Sequence, residues 1–323
     1  MENPVYSIVV PVYNEEEVIG ETYKRLKGVC EGFGESYEII FINDGSRDKT
    51  PAMAREICRQ DKRVKLIDFS RNFGHQIAVT AGMDYSSGDA VVVIDADLQD
   101  PPEVIPEMIK KWKEGFDVVY GVRIKRQGET FFKLLTAKAF YRFMKKMTNV
   151  DMPLDTGDFR LIDRKVCEAL KRVNEKNRYI RGIVSWLGYK QTGVEYVRDK
   201  RFAGETKYPL KKMLRLASNG IASFSDKPLK LATNTGITIM FLSFVYFLVM
   251  LILKLATSLD IAMWNFLFVA GFLLNGVTLT ILGIFGEYIG RIYDEAKNRP
   301  LYLIGDLVNF DEGTRILTDR NRK

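Results

Sequence analysis

Two carboxylates one residue apart, Asp95 and Asp97, follow the apolar run Ala90–Ile94 (AVVVI). At the end of a strand such a pair can face one point and hold a hard cation, Mg2+ or Mn2+, with Gln99 offering a further carbonyl oxygen. A lone D-x-D is commonly a solvated turn. Here an apolar strand precedes it and Asp100-Pro101-Pro102 opens a helix after it, which favours the metal reading. Asn43-Asp44-Gly45-Ser46 closes another apolar run and suits either a turn or a nucleotide contact. A third polar stretch, Asn14-Glu15-Glu16, follows the first run, and a fourth, Ser70–Gln76, holds the only histidine, His75. No serine or cysteine is placed to form a nucleophilic triad with His75, so a structural or substrate-lining role is expected. No G-x-G-x-x-G follows the first strand and no G-x-x-x-x-G-K-[ST] occurs, which argues against a dinucleotide enzyme and a P-loop NTPase. Carboxylates in place of a glycine-rich loop would repel a diphosphate unless a cation stood between them.

These groups all sit at the ends of short apolar runs, and that placement points to the fold. The strand candidates are Tyr6–Pro11, Tyr37–Ile42, Val64–Phe69, Ala90–Ile94 and Asp117–Tyr120. Helical segments are expected near Glu15–Cys30, Lys49–Gln60, Gly74–Tyr85 and Pro102–Glu114. The runs are β-branched and nearly continuous in apolar residues, as in strands covered on both faces. Their alternation with helices predicts an α/β fold with a doubly wound, mostly parallel sheet. Ligands in such sheets sit beyond the carboxyl ends of the strands, where the polar groups lie.

The 323-residue length gives a prior of about two domains. With 46% hydrophobic and 28% charged residues, the chain is neither disordered nor collagen-like. Cys30, Cys58 and Cys167 are widely spaced and odd in number, which excludes a disulfide scaffold and suits a reducing compartment. The net charge of +7 is unevenly spread: residues 1–120 carry a net −8, residues 121–230 a net +15, and residues 231–323 balance. A basic middle suggests an anionic partner. The mean hydropathy of −0.10 hides two long uncharged runs, Leu231–Leu253 and Ile261–Gly286. Each reaches the roughly 20 residues needed to cross a bilayer, so a two-helix transmembrane hairpin is expected. Lys227 and Lys230 before it, and Arg291, Lys297 and Arg299 after it, predict both ends on the cytoplasmic side. Residues 131–147 and 208–226 mix basic and apolar side chains at helical spacing, as interfacial amphipathic helices do. Met1-Glu2-Asn3-Pro4 lacks a basic region and runs directly into a strand pattern, so no signal peptide is expected. Pro300 should stop the helix after the second run, and Tyr302–Ile304 should form a short strand.

The runs IVVPVYNEE, FINDGSRD and VVVIDADLQDPPE resemble, in that order, the inverting family 2 glycosyltransferases with a GT-A, Rossmann-like fold. DTGDFRLID, RFAGETKY and GEYIGRIYDEAKNRP narrow the resemblance to bacterial polyprenyl-phosphate glucosyltransferases, with dolichol-phosphate mannose synthase more distant. It covers nearly the whole chain. It implies a cytoplasmic transferase domain over 1–207, a juxtamembrane helix over 208–228, a hairpin over 229–288 with spans at about 231–253 and 261–286, and a cytoplasmic tail over 289–323. Pro11, Tyr13 and Glu15 would line the nucleoside, Asp44 the uracil, and Gln76 the ribose or diphosphate. Asp95, Asp97 and Gln99 would hold Mg2+ or Mn2+ and the donor diphosphate, with Arg201 and Lys207 as a clamp. Asp158 would lie at the reacting centre with Asp155 second, and Arg123 or Lys133 would meet the acceptor phosphate.

The implied reaction moves one hexose, glucose from UDP-glucose, to polyprenyl (undecaprenyl) phosphate with inversion, in a bacterial inner-membrane protein that is multi-pass. A homo-oligomer, a tetramer by analogy with the family, is also implied. UDP-galactose, UDP-N-acetylglucosamine and GDP-mannose are alternative donors. A non-catalytic membrane adaptor or lipid carrier on a transferase scaffold is an alternative of another class, which an intact Asp95-x-Asp97 and Asp158 oppose. The Q-x-x-R-W motif of processive relatives is absent, with Arg181–Trp186 (RGIVSW) in the comparable region, which favours a single transfer. No nucleic-acid recognition motif occurs. A phosphate monoester has a second pKa of about 6, so it is a nucleophile without help. A general base is then less needed, and the role of Asp158 stays open between removing a proton and orienting the acceptor or stabilising charge on the sugar.

Overall fold

The computed structural model describes residues 4–126, 156–199 and 263–311, with 232, 234–239, 241, 242, 245, 246, 249 and 252 between them. In chain order the elements are β1 (Tyr6–Val12), α1 (Ile19–Glu31), β2 (Tyr37–Asn43), α2 (Thr50–Gln60), β3 (Val64–Phe69), α3 (His75–Tyr85) and β4 (Ala90–Val93). After a 3-10 turn at Pro102–Val104 come α4 (Ile105–Lys113), β5 (Val118–Arg126), β6 (Thr156–Asp163), α5 (Arg164–Lys171), α6 (Ile180–Trp186), β7 (Gln191–Arg198), α7 (Met263–Ala296) and β8 (Ile304–Val308).

One mixed sheet carries the eight strands of the described residues in the order β7-β5-β6-β4-β1-β2-β3-β8. The central four, β4-β1-β2-β3, run parallel, as the β-branched runs predict. Alternate residues of each strand face opposite layers. Tyr6, Ile8, Val10 and Val12 pack with α1, α2 and α4 on one face. Val9, Ile40 and Ile67 pack with α3, α5 and α6 on the other. Ala78 and Ala81, both fully buried, are small enough for α3 to lie close against the sheet.

The sheet departs from a purely parallel one where the chemistry is concentrated. Strand β6 returns antiparallel to β4, pairing Val93 with Arg160 and Val92 with Leu161. Beyond that ladder Asp158 on β6 and Asp95 after β4 both reach His75 Nε2, at 3.2 and 3.5 Å. At the other edge β8 pairs antiparallel with β3, Leu66 opposite Val308. Tyr302 stacks on Phe69, with ring centroids 5.3 Å apart, and donates to Asp84 Oδ2 at 2.9 Å. The strand expected at Tyr302–Ile304 thus begins only at Ile304, because Tyr302 is used as an anchor.

The expected transmembrane hairpin is corrected: among the described residues no helix is long and apolar enough to cross a membrane. The second apolar run is helical, but α7 does not stop where that run ends. It continues through Glu287, Arg291, Asp294 and Glu295. Its end is bonded to the sheet domain, where the Lys176 backbone N–H donates to Glu295 Oε1 at 2.6 Å. The first run has helical residues at 234–239 and beyond without one continuous described helix. A hydropathy sum counts side chains and is blind to helix continuity. The expected multi-pass placement in an inner membrane is corrected on the same ground. Residues 131–147 and 208–228, and the domain boundary at 207, lie outside the described residues.

At the amino end of the parallel strands, Glu38 is buried and fully engaged. Its Oε1 accepts from Ser7 Oγ at 2.5 Å, from the Ser87 N–H at 2.8 Å and from Ser87 Oγ at 2.9 Å. Lys65 Nζ lies 2.6 Å from its Oε2. Burial alone would raise the carboxyl, but Lys65 and these donors outweigh it and hold it below its ordinary 4.5. A depressed folded-state value stabilises the fold above pH 4.5 and loses that contribution as pH falls below it. Glu38→Gln is expected to cost about 3 kcal/mol at pH 7, because it strands Lys65. In urea unfolding the gap to wild type should shrink steadily on acidification below pH 4.5, and a gap independent of pH would contradict this account.

Candidate active site

The loop after β4 alternates. Ala96, Leu98 and Asp100 point inward, while Asp95, Asp97 and Gln99 stay partly exposed on the side of the strand ends. Leu98 is held at φ 56°, a backbone region that non-glycine residues seldom adopt. The Gln99 N–H donates to Asp97 Oδ1 at 3.1 Å, which fixes the turn. Burial, with the crowding of Asp97, Asp158 and Asp100, pushes the Asp95 carboxyl up to about 6 against the pull of His75. Oxygen donors that repel one another in this way fit a hard divalent cation. Among the described residues no set of three or more His, Cys, Asp or Glu side chains converges as a complete metal cage. The donors therefore fit a cation that completes its shell with substrate phosphate or water.

Asp158 is the hub. Its Oδ2 lies 3.2 Å from His75 Nε2 and accepts from Gln76 Nε2 at 3.1 Å. Its Oδ1 lies 3.0 Å from Arg181 Nε. Burial opposes its charge, but Arg181, His75 and Arg160 overcome that and hold the carboxyl well below the usual carboxylate range. Such a group is a weak base and a strong fixed negative charge. His75 Nε2 also lies 3.5 Å from Asp95 Oδ1, so the imidazole links the two carboxylates. Burial lowers its basicity, yet Asp95 and Asp158 raise it to about 9.

Asp44 turns inward. Its Oδ1 accepts from the N–H groups of Phe73 and Gly74 at 2.6 and 3.2 Å, and its Oδ2 from Asn72 Nδ2 at 2.9 Å. It anchors the loop that launches α3, and so sets where His75 and Gln76 begin. Gly45 beside it has φ 67°, and a Cβ there would meet the Arg71 carbonyl carbon and the Asn72 nitrogen at 2.5 Å. Only glycine satisfies both the dihedral and the close approach.

Pro11 is buried within β1 opposite Ile42, while Tyr13 is 37% exposed just beyond the strand. Glu15 lines a cleft of about 420 Å³ with Asn14, Glu16, Glu17, Val18, Arg47 and Asp48. Its N–H donates to Thr50 Oγ1 at 2.8 Å. Residues 14–16 are bonded across to the 46–50 loop, which is why α1 starts at Ile19 and not at Glu15.

Arg123 points into the protein. Its Nη2 donates to the fully buried Asp100 at 3.0 and 3.3 Å, and its Nε to Tyr196 Oη at 3.1 Å. Arg198 Nε lies 3.4 Å from the same Asp100. The guanidinium passes so close to Gly157 that a Cβ there would lie 2.3 Å from Nη2. Asp155, Lys133, Arg201 and Lys207 lie outside the described residues. The structure thus brings Asp158 together with Gln76 and, through His75, with Asp95, while Asp97 stands on the same partly exposed side of its loop and Asp44 and Arg123 are engaged inside the protein. Sequence reasoning missed Arg181, Arg160 and Asp100. Arg160 stands two residues after Asp158 on one strand, a period-two signal that could have placed it on the same face. Arg181 carried no local signal.

The profile of a family described as Glycosyl transferase family 2 matches residues 7–171, from the second residue of β1 to the end of α5. A glycosyltransferase of Bacillus subtilis (strain 168), YkcC, is 63% identical over 299 residues, covering 93% of each chain. The chain is a family 2 glycosyl transferase. The SfII prophage-derived bactoprenol glucosyl transferase of Shigella flexneri is 43% identical to this glycosyl transferase over 298 residues, covering 92% of this chain and 96% of that one. Among solved structures, glucosyl-3-phosphoglycerate synthase from Mycobacterium tuberculosis in complex with Mg2+ and uridine-diphosphate overlays with a TM-score of 0.46 at 20% identity, over 68% of this chain and 77% of that one.

Proposed function

We propose that this glycosyl transferase moves one glucosyl unit from UDP-glucose to a polyprenyl phosphate, with inversion at the sugar's anomeric carbon. The observation that carries the reading is the meeting of Asp158 and Asp95 on His75, with Asp97 two residues further along the same loop, in a chain similar to bactoprenol glucosyl transferases. Asp95 and Asp97, with Gln99, would hold a divalent cation, and Tyr13 and Glu15 would flank the nucleoside. When bound, Mg2+ or Mn2+ supplies positive charge to the departing diphosphate.

The chain's own residues do the rest. A phosphate oxygen of the acceptor attacks the anomeric carbon, and the bond to UDP breaks with its electrons leaving on the β-phosphate. Asp158, held ionised by Arg181 and His75, faces the sugar as positive charge develops there. It takes no proton, because the acceptor arrives as an anion. The product is a β-linked polyprenyl-phosphate sugar from an α-linked donor.

The test offers the purified protein a panel of nucleotide sugars (UDP-glucose, UDP-galactose, UDP-N-acetylglucosamine, GDP-mannose) with polyprenyl phosphate, with and without EDTA. Lipid products are read by mass. A hexosyl lipid from UDP-glucose, abolished by EDTA and restored by Mg2+ or Mn2+, is the expected result. Transfer undiminished in EDTA would remove the cation from the scheme, and no sugar lipid from any donor would remove the reading.

A further inference from the structure

Gln76 is bonded at both ends inside the protein. Its Nε2 donates to Asp158 Oδ2 at 3.1 Å, and its Oε1 accepts from the Ile180 N–H at 3.0 Å. The two partners fix the amide's orientation. Reversed, it would set a carbonyl oxygen against a carboxylate and an NH2 group against an N–H. Ile180 is the first residue of α6, where a helix leaves its N–H groups without intrahelical partners. The next residue, Arg181, reaches back to β6 twice: Nη1 donates to the Thr156 carbonyl at 3.0 Å, and Nε pairs with Asp158. Gln76 therefore joins α3, α6 and β6 around one carboxylate. Neither Glu nor Lys could replace it, since one would set a second carboxylate against Asp158 and the other cannot accept from Ile180.

We propose that Gln76 is a positioning residue for sugar transfer: its amide braces Asp158 against the first turn of α6, and through it the Arg181–Asp158 pair. On this proposal Gln76 acts through Asp158 rather than on the donor's ribose or diphosphate. The assignment rests on the glucosyl-transfer reading above. It makes the geometry of Asp158 depend on where α6 begins, although the two are far apart in the chain.

Two variants test it. Gln76→Met keeps the length and removes both bonds. Gln76→Glu keeps the acceptor for Ile180 and replaces the donor to Asp158 with a negative charge. Steady-state transfer from UDP-glucose and UDP binding by calorimetry in Mg2+ are measured for both. A fall in kcat of tenfold or more, with donor KM and UDP affinity within twofold of wild type, is expected. In an Asp158→Asn background, Gln76→Met should lower the residual rate less than twofold further, because a residue acting through Asp158 has nothing left to position. A fivefold or greater loss of UDP affinity in either variant overturns the proposal whatever happens to kcat. So does wild-type kcat in both. UDP binding reports on donor contact without any acceptor, so these outcomes stay separate from a wild-type protein that glucosylates no lipid, which sinks the broader reading instead.

Discussion

Replacing Asp158 by Asn is expected to lower sugar transfer by roughly 10²–10³-fold, the scale seen when one preorganised electrostatic group is lost from a transition state. The substitution is isosteric and removes only the charge. Three cationic groups depend on that charge: Arg181 at 3.0 Å, His75 at 3.2 Å, and Arg160, whose burial brings it down to about 10. Leaving them without their carboxylate should also cost about 3 kcal/mol of stability. Both losses are measurable, the first in single-turnover transfer and the second in urea unfolding. Because the carboxyl is held below the usual range, Asp158 stays ionised throughout pH 5–8. Any fall in rate within that window therefore belongs to another group. Transfer within twofold of wild type would show that Asp158 has no part in the reaction.

Asp97→Asn is expected to lower transfer by about 10³-fold, close to 4 kcal/mol, as loss of a cation's hold on the leaving group implies. The variant should fold normally. Asn retains the Oδ1 that accepts from the Gln99 N–H, so the turn at φ 56° of Leu98 keeps its support. UDP affinity in Mn2+ should fall with the rate, while UDP affinity in EDTA should match wild type. Undiminished transfer, or equal weakening with and without Mn2+, would assign Asp97 to the loop and not to the cation.

Much of the fold was legible because its signals are local. The apolar run Val64–Phe69 coincides with β3 at both ends, and those of β1, β2 and β4 match to within a residue, since continuous β-branched runs between turns have few other uses. The end of one such run carries Asp95 and Asp97, whose spacing alone marks them as candidate cation ligands. Signals that depend on partners were not legible. Nothing near Arg123 in the chain reveals that Asp100 and Tyr196 claim its guanidinium. Nothing near Asp44 shows that its oxygens face the 72–74 loop. The apolar run at Ile261–Gly286 gave the hydropathy of a span, whereas the helix built from it runs on through four charged residues to a bond with Lys176.

The sequence by itself determined the parallel core, the carboxylate pair at the end of β4 and membership of a transferase-like family. Apolar periodicity and short motifs are written within a few residues of one another. Only the tertiary structure decided what surrounds Asp158. The antiparallel return of β6 beside β4 carries it to the His75 that also reaches Asp95, α3 brings that His75 and Gln76, and α6 brings Arg181. Ionisation and orientation depend on distances through space, and a strand reversal can make neighbours of residues 63 positions apart in the chain.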